Sequence, residues 1–417
     1  MKIGNHRVVI TGTGIISCLG LSRKEVQAAL KEGRSGVQLL PERKKLGFQS
    51  ALSGVISGFK PESVLNRKWR KTLPEFGLWA WAAIEQALQQ AGIEPGTLSG
   101  DERTGLIFGN DSSAVTAVEQ VDALRAAGET IHIGSGHIFR LLTSTITLNI
   151  STYLGLHGMC WTIGGACASS TMAIGQAAEQ IATGRQDRMI CGGAQEISWQ
   201  SMCSFDALGA FSKRETDPAA ASRPFDHERD GLVPGGGAAA LILENYDSAR
   251  ARGVKILGEI KGYATTSDGY HIVAPSGEGL ERAMRLAIKD ADCKPASIDL
   301  VLAHATSTPA GDLAEAMALG RVFGTDQGMI GPLITATKSM TGHEFWMAGA
   351  SQAVYALLMT DGGFVAGNPN LKEPDPEAKN LHFCQKAITF TPSYILLNAA
   401  GFGGANACLV IKSVNEG

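Results

Sequence analysis

Cysteine is the most reactive side-chain type in this sequence, and one cysteine has neighbours that could activate it. Residues 161–170 read WTIGGACASS, so an extended stretch ends in two glycines and Cys167 begins a run rich in alanine, methionine and isoleucine. A thiol at a helix start faces the positive end of the helix dipole, which lowers its pKa and favours the thiolate. A tight glycine turn also leaves a backbone N–H free to bind an oxyanion. The segment therefore makes Cys167 a candidate nucleophile, and a small buried residue is an equal alternative at this point.

Two of the nine histidines lie where an α/β enzyme places its site residues. His304 follows the apolar run 298–303, at the carboxyl end of a predicted strand, where open α/β sheets bind their ligands. His343 follows the small-residue loop 335–342 and precedes an alanine-rich helix. A lone histidine is more often structural, but a cysteine with two such histidines is a plausible nucleophile with its polar partners. A metal site is the rival interpretation, and no third ligand lies at metal spacing, so we expect no metal.

The elements that must position these residues alternate along the chain. The predicted strands are 7–12, 104–108, 188–191, 256–262 and 298–303, and the predicted helices are 78–91, 167–183 and 279–292. Such alternation indicates βαβ units and an α/β fold with a parallel sheet. The order helix, loop, strand at 78–108 recurs at 279–303, about 200 residues later, which predicts two similar halves and not a solenoid of short repeats. The polar junction 244–255 contains no flexible linker, so we expect one rigid unit.

The composition agrees with a folded enzyme and excludes several other classes. Of 417 residues, 44% are hydrophobic and 18% are charged, with a net charge of −3, which argues against disorder and against general binding to nucleic acid or membrane surfaces. Glycine contributes 51 residues and proline 15, a balance that indicates tight turns and not a low-complexity chain. The eight cysteines are scattered without a C-x-x-C motif, and no stretch suits a signal peptide or a membrane helix. We therefore expect a cytoplasmic protein with free thiols.

Gly12 and Gly14 follow the first predicted strand and suggest a dinucleotide-binding turn. The third glycine of that fingerprint is missing, because Ser17 stands there, and no acidic residue lies about 20 positions further on in a βαβ unit. We therefore expect no dinucleotide cofactor.

Four segments taken together resemble the β-ketoacyl-acyl carrier protein synthases, condensing enzymes, and most closely the type I elongating synthases of dissociated fatty acid synthesis. They are 164–170 (GGACASS), 304–309 (HATSTP) with Asp312 and Glu315, 338–343 (KSMTGH) and 401–406 (GFGGAN). With supporting stretches at 222–226 and 273–279, the resemblance runs in the family's order over nearly the whole chain. It implies the thiolase-like fold, an α/β fold of two similar halves in a five-layered αβαβα arrangement. Residues 1–252 would carry the nucleophile and residues 253–417 both histidines.

The resemblance also implies a role for each matching residue. Cys167 would take an acyl group from the phosphopantetheine arm of an acyl carrier protein, and His304 with His343 would stabilise the enolate formed when a malonyl-carrier loses carbon dioxide. The product would be a β-ketoacyl-carrier in fatty acid, polyketide or polyene elongation. The remaining assignments are Lys338 positioning His304 and Glu315, Asp312 in support, the N–H groups of Cys167 and Phe402 as oxyanion site, and Thr306 and Thr308 as pantetheine contacts.

The implied partner is an acidic acyl carrier protein, which predicts a basic docking patch. Two clusters qualify, 43–45 and 67–71. The second aligns with the docking region of the family, so we assign docking to Lys68 and Lys71; a solvated charged face is an equal alternative for the first. No cofactor or metal is implied, since phosphopantetheine arrives on the carrier. We expect a homodimer, or a heterodimer with a related subunit.

Three positions depart from the family pattern without removing a catalytic group. Ala305 replaces a usual glycine and tightens the turn after His304, and Leu232 stands where a gating phenylalanine is common. The bulky residues of 344–347 (EFWM) replace a stretch of small residues with a leucine. All three could reshape the acyl pocket, so we expect an altered substrate such as a polyene, aryl or other polyketide-like acyl chain.

Two other functions stay open at this point. A thiolase would act on coenzyme A thioesters and use a second cysteine near the C-terminus as base, but Cys408 lies on a predicted apolar strand. A non-catalytic partner subunit resembling a chain-length factor would typically lack the nucleophile, and Cys167 is present with both histidines.

Overall fold

The computed structural model describes residues 6–414, apart from the side chain of Asp326. Its strands are β1 (Val8–Ile16), β2 (Val37–Leu39), β3 (Leu52–Gly54), β4 (Thr104–Gly109), β5 (Cys160–Ile163), β6 (Arg188–Gln195), β7 (Gly237–Asn245), β8 (Gly258–Ser267), β9 (Leu300–Leu302), β10 (Leu333–Thr335), β11 (Phe364–Val365), β12 (His382–Phe383), β13 (Ile388–Thr389), β14 (Tyr394–Gly401) and β15 (Ala405–Ser413). Its helices are α1 (Arg23–Glu32), α2 (Pro41–Lys45), α3 (Arg67–Arg70), α4 (Glu75–Gln90), α5 (Ala114–Ala127), α6 (His137–Leu141), α7 (Thr145–Leu154), α8 (Ser169–Ala182), α9 (Trp199–Ala207), α10 (Tyr246–Ala251), α11 (Glu278–Asp290), α12 (Pro309–Phe323), α13 (Lys338–Thr341) and α14 (Ala348–Asp361).

Two sets of five strands repeat one topology. The first has the order β1-β7-β6-β4-β5 and the second β8-β15-β14-β9-β10, with β12 added beside β10. In each set the first three strands pair antiparallel and the last three pair parallel. A short antiparallel pairing of β1 with β8 joins the sets. The prediction of two similar halves is confirmed.

Helices cover both faces of each set and give five layers. In the central layer, α8 packs against β6 and β4 while α14 packs against β14 and β7, and the two helices contact each other. Residues of α14 are buried on every side from Ala348 to Met359, as expected for a helix enclosed between sheets. Outside the first set lie α4 and α7, and outside the second lies α11 with α12 packed against it. The predicted αβαβα arrangement is therefore confirmed.

The first strand is longer than predicted. It was expected to stop at Gly12, but β1 continues to Ile16 with a bulge between Ile10 and Gly12. A Cβ atom at Gly12 or Gly14 would overlap backbone carbonyl oxygens of α4, so both glycines allow that helix to lie directly on the strand. These glycines therefore serve helix packing and not a turn.

Other boundaries differ by a few residues. The helix predicted to begin at Cys167 begins at Ser169, after a 3₁₀ turn at Ala166–Ala168. The strand predicted at 188–191 extends to Gln195. The proposed boundary at 252/253 lies between α10 and β8; that boundary and the rigidity of the whole stay predictions.

In the described range, 6–414, no helix is both long enough and apolar enough to cross a lipid bilayer.

Candidate active site

Four chain segments converge where the two halves meet. Cys167 lies in the turn that leads into α8, and His304 is the second residue after β9. His343 lies between α13 and a second 3₁₀ turn, Phe345–Met347, which leads into α14. Phe402 follows β14, a parallel neighbour of β9, so it and His304 emerge at the same sheet edge. The topology therefore gathers side chains that are far apart in sequence.

Cys167, His304 and His343 form one buried cluster. The Nε2 atom of His343 lies 3.0 Å from the Sγ atom of Cys167. The two imidazole rings stand edge to face with centroids 5.2 Å apart. One donor atom from each of the three residues lies within 4.8 Å of the others. The thiol thus has one imidazole in hydrogen-bonding distance and a second at its side.

Burial controls the protonation of this cluster. It raises the pKa of the Cys167 thiol to about 12, an effect that the Lys338 charge opposes only in part. The expected lowering at a helix start is therefore wrong, because desolvation of the thiolate outweighs it. Burial, reinforced by the Lys338 charge, also lowers the pKa of His304 and of His343 well below 6.5. The free site consequently holds a thiol and two neutral imidazoles.

Lys338 lies buried at the start of α13, among acidic groups. Its Nζ atom has no hydrogen-bond partner in the described part of the chain. Burial lowers its pKa, whereas the charges of Glu315 and Glu344 raise it. Its own charge acts on both imidazoles and on Cys167. The lysine thus affects the reacting groups through its field rather than through a direct hydrogen bond.

Glu315 and Asp312 hold the backbone around His304. The two carboxylate oxygens of Glu315 accept the N–H groups of His304 at 2.9 Å and Ala305 at 2.6 Å. Asp312 accepts the N–H of Ser307 at 3.1 Å. Burial raises the pKa of Glu315, and raises that of Asp312 to about 7. Both acids therefore fix the loop that presents His304.

The nucleophile turn is strained and clamped. Ala166 has a φ of 48°, a left-handed conformation unusual for alanine. Asp111 accepts the Ala166 N–H at 3.0 Å, and the Ser169 hydroxyl accepts the Gly165 N–H at 2.9 Å. Asp111 is not among the site residues predicted from the sequence. Its signal was position, because it follows the end of β4 just as His304 follows β9.

Phe402 lies in a turn beside the nucleophile. A Cβ atom at Gly401 would lie 3.0 Å from the Cys167 nitrogen and 2.9 Å from the Ala166 Cβ, so only glycine allows this approach. Gly403 has a φ of 75° and continues the turn. Phe402 is 39% exposed, and its ring stacks on that of Phe205 with centroids 5.9 Å apart. The Phe402 backbone is thus held near the Cys167 N–H.

A pocket of about 450 Å³ leads to the thiol. We call it the thiol-side pocket. Besides the cluster, its lining includes Thr306, Thr308, Leu232, Phe345 and Phe402. The hydroxyls of Thr306 and Thr308 lie 3.0 Å apart, side by side on its wall. The pocket thus joins the proposed pantetheine contacts to the nucleophile.

The three departures from the family pattern have different outcomes. Ala305 is buried without a positive φ, and the left-handed residue of that turn is Ser307 at 70°, so the turn does not require a glycine at 305. Leu232 lies in the apolar cluster around Cys167. Phe345 stacks on His343 with centroids 4.6 Å apart and lines the pocket. Leu232 and Phe345 therefore shape the pocket directly.

Glu344, which was predicted only to be part of the bulky stretch 344–347, is a buried acid. Its carboxylate accepts the Ser351 hydroxyl at 2.6 Å and the Tyr355 hydroxyl at 2.7 Å. Burial raises its pKa to about 7. Glu344 is adjacent to His343 in sequence, and its charge acts on Lys338, so it is an acidic neighbour of the site in addition to Glu315.

The two basic clusters differ in their surroundings. Arg43 is 1% exposed and donates to the Leu52 carbonyl at 3.0 Å, so only Lys44, which pairs with Glu215 at 2.7 Å, and Lys45 of the cluster 43–45 are exposed. In contrast, Arg67, Lys68, Arg70 and Lys71 alone line a shallow surface depression. The docking prediction for Lys68 and Lys71 accordingly rests on an accessible, uniformly basic face.

Metal binding is the other chemistry open to one thiolate and two imidazoles. We expected no metal because no third ligand lies at metal-binding spacing in the sequence. That reason was wrong, because the fold brings the three potential ligands Cys167, His304 and His343 together. The nearby Lys338 charge repels a cation at this place. The thiolase alternative lacks its second cysteine, since Cys408 is fully buried in β15 with its thiol turned to Asn398.

A buried thiol with two neutral imidazoles at the thiol-side pocket is typical of a thiol-dependent acyl-transfer enzyme. Family models described as the N-terminal and the C-terminal domain of beta-ketoacyl synthase match residues 5–249 and 257–372. The chain therefore belongs to the β-ketoacyl synthase family, as predicted.

Individual relatives agree over the full length. The 3-oxoacyl-[acyl-carrier-protein] synthase 1 of Escherichia coli (strain K12) is 38% identical over 412 residues, covering 98% of this chain and 100% of that protein. A beta-ketoacyl synthase from Burkholderia phymatum STM815 is 35% identical with a TM-score of 0.92, covering 99% of this chain and 100% of that one. A ketosynthase solved with its type II PKS acyl-carrier protein is 30% identical with a TM-score of 0.86, covering 98% and 100%. The predicted fold and enzyme class, an acyltransferase-type condensing enzyme, are confirmed.

Proposed function

We propose that this chain elongates an acyl group in two stages, the first of which is transfer to Cys167. The sulfur attacks the thioester carbonyl of an acyl-carrier, and its proton passes by way of His343 to the departing pantetheine thiol. A carbon–sulfur bond to Cys167 forms as the bond to the carrier breaks. The N–H groups of Cys167 and Phe402 would hold the oxyanion of the tetrahedral intermediate.

The second stage would be decarboxylative condensation with malonyl-carrier. Carbon dioxide leaves, and the electron pair of the broken carbon–carbon bond becomes an enolate. The N–H groups of His304 and His343 would donate to its oxygen, a role that suits neutral imidazoles. The enolate carbon attacks the acyl-Cys167 carbonyl, the sulfur leaves and takes up one proton, and a 3-oxoacyl-carrier is released.

The partner that we propose is an acyl carrier protein, and no resident cofactor is needed. The arm would reach the thiol past Thr306 and Thr308, while Lys68 and Lys71 would bind the acidic carrier outside. A relative solved with an acyl-carrier protein supports this choice. A cytoplasmic location, a homodimer or a heterodimer with a related subunit, and a polyene, aryl or polyketide-like acyl chain stay predictions.

One observation carries the proposal, namely the 3.0 Å separation of the Cys167 thiol and the His343 imidazole. The thiol and this imidazole line the thiol-side pocket, which His304, Thr306 and Thr308 also line. The nucleophile Cys167 and the two imidazoles that would carry its proton and bind the enolate thus face the same pocket.

Intact-mass measurement after incubation with hexanoyl-carrier tests the first stage. We expect one hexanoyl group on the protein and none on C167A, while C203A, which removes an exposed cysteine on α9, is acylated like the unmodified chain. An acyl group on C167A, or none on any of the three proteins, would contradict the proposal.

A further inference from the structure

Two cavities flank the nucleophile turn without merging. The thiol-side pocket contains Cys167 and Phe345. A second cavity of about 520 Å³ opens to the surface beside the turn, at the edge strand β5, and is lined by Asp111 and Gly164, together with residues of α7 and β5. The two share no lining residue. The turn and its neighbours therefore act as a wall between them.

Hydrogen bonds fix this wall on both sides. Asp111, from the second cavity, binds the Ala166 N–H beside the nucleophile. The indole N–H of Trp346 donates to the hydroxyl of Ser112, which follows Asp111 in sequence, at 3.3 Å. Trp346 also stands edge-on to Phe345, with ring centroids 5.7 Å apart. Phe345 and Trp346 thus close the space between Cys167 and the segment after β4.

The backbone behind these rings has little freedom to move. Phe345 has a φ of 43°, which its packing against His343 and Phe205 maintains. Gly193, near the end of β6, lies so close to residues 346 and 347 that a Cβ atom there would be 2.9 Å from the Trp346 carbonyl oxygen. The wall is therefore built from tightly packed groups and not from a loose side chain.

We propose that Phe345 and Trp346 limit the length of the acyl group on Cys167, so that the enzyme accepts short acyl chains and excludes long ones. The inference rests on the proposed function. Ligand pockets typically measure ~300–1,000 Å³, so about 450 Å³ shared by the pantetheine arm and the acyl chain is small. A long chain would have to extend towards the second cavity, and Trp346, which lines neither cavity, occupies the space between Phe345 and Ser112.

Competition between two acyl-carriers tests the limit. Hexanoyl-carrier and hexadecanoyl-carrier are offered together, and the ratio of the two acyl groups on Cys167 is read by intact mass. We expect the unmodified enzyme to favour hexanoyl, and W346A to raise the hexadecanoyl share about tenfold or more, since steric discrimination of even one methylene reaches that size. W346L should give an intermediate ratio and serves if W346A does not fold.

The matched control is W199A, which removes an exposed tryptophan at the start of α9 and should leave the ratio unchanged. Equal use of both carriers by the unmodified enzyme would overturn the length limit. So would an unchanged ratio in folded W346A and W346L, with folding checked by thermal unfolding. Transfer of neither acyl group would instead contradict the proposed function, so the two failures are distinct.

Discussion

The two halves share a backbone and differ in the side chains at one corresponding turn. In the first half the turn Ala166–Ala168 leads into α8, and in the second the turn Phe345–Met347 leads into α14. Both turns contain a left-handed residue, Ala166 at 48° and Phe345 at 43°. The residue that follows is Cys167 in one half and Trp346 in the other.

The repeated fold thus supplies the position of each residue, and the side chain supplies its task. One turn presents a nucleophile, and its counterpart closes a wall. The ends of the corresponding strands β4 and β9 differ likewise, because Asp111 clamps the nucleophile turn whereas His304 enters the cluster. The site is therefore divided, with the thiol from the first half and the imidazoles from the second.

Replacing a histidine of the second half should have the largest effect of the variants that probe this division. In H304A we expect condensation to fall by about 10²–10³-fold, the usual cost of one lost oxyanion donor, while acylation of Cys167 changes far less. Product and acyl-enzyme are both read by mass spectrometry. H382A, at an exposed histidine of β12, is the control. Equal losses in both stages would show that His304 does not belong to the second stage alone.

The basic face is a feature of the first half without a counterpart in the second. The segment between β1 and α4 carries Lys68 and Lys71, whereas the segment 268–277 between β8 and α11 carries neither lysine nor arginine. We expect the doubly substituted K68E/K71E to raise KM for acyl-carrier about tenfold and to leave transfer from a small soluble thioester unchanged. K289E/K294E, at exposed lysines of the second half, should change neither the KM for acyl-carrier nor the transfer from the small thioester. A similar rise in KM in this control would show that the net charge of the protein, and not the basic face, determines carrier binding.

Glu344 corresponds to Gly165 in the other half, so only the second half has a carboxyl group at this position. The effect of that group on stability can be measured by comparison with E344Q. With a pKa of about 7 against an ordinary 4.5, the folded chain keeps a proton that the unfolded chain loses over this range. Stability relative to E344Q should therefore be greatest below pH 4.5 and should fall as the pH rises towards 7, by at most about 1.4 kcal/mol per pH unit. Urea unfolding of both proteins across this range measures it, and a constant difference would contradict the raised pKa.

Relief of the strained turn should give the smallest effect. Glycine accepts a φ of 48° without the cost of a Cβ atom, but it loses more entropy on folding. A166G should therefore stabilise the protein by less than about 1 kcal/mol. Denaturant unfolding measures the change. Destabilisation by more than that would mean that the Ala166 methyl group packs more favourably than the strain costs.

The sequence predicted the parts of this molecule that depend on local pattern. Cys167, His304 and His343 could be found because each adjoins a glycine turn, a strand end or a helix start, and the repeated order of elements indicated two halves. Quantities that depend on burial could not be predicted. The thiol pKa is raised and not lowered, Arg43 is buried, and the glycines of β1 serve helix packing. Asp111 escaped notice because its partner, the Ala166 N–H, is 55 residues away in sequence.

The most direct test of the central claim, that the halves act on one acyl group in succession, uses purified acyl-enzyme. The hexanoyl form is freed of carrier, mixed with malonyl-carrier, and the masses of both proteins are followed with the carbon dioxide released. We expect 3-oxooctanoyl-carrier, a free Cys167 thiol and one carbon dioxide for each acyl group consumed. Release of carbon dioxide while the hexanoyl group stays on the enzyme would contradict it.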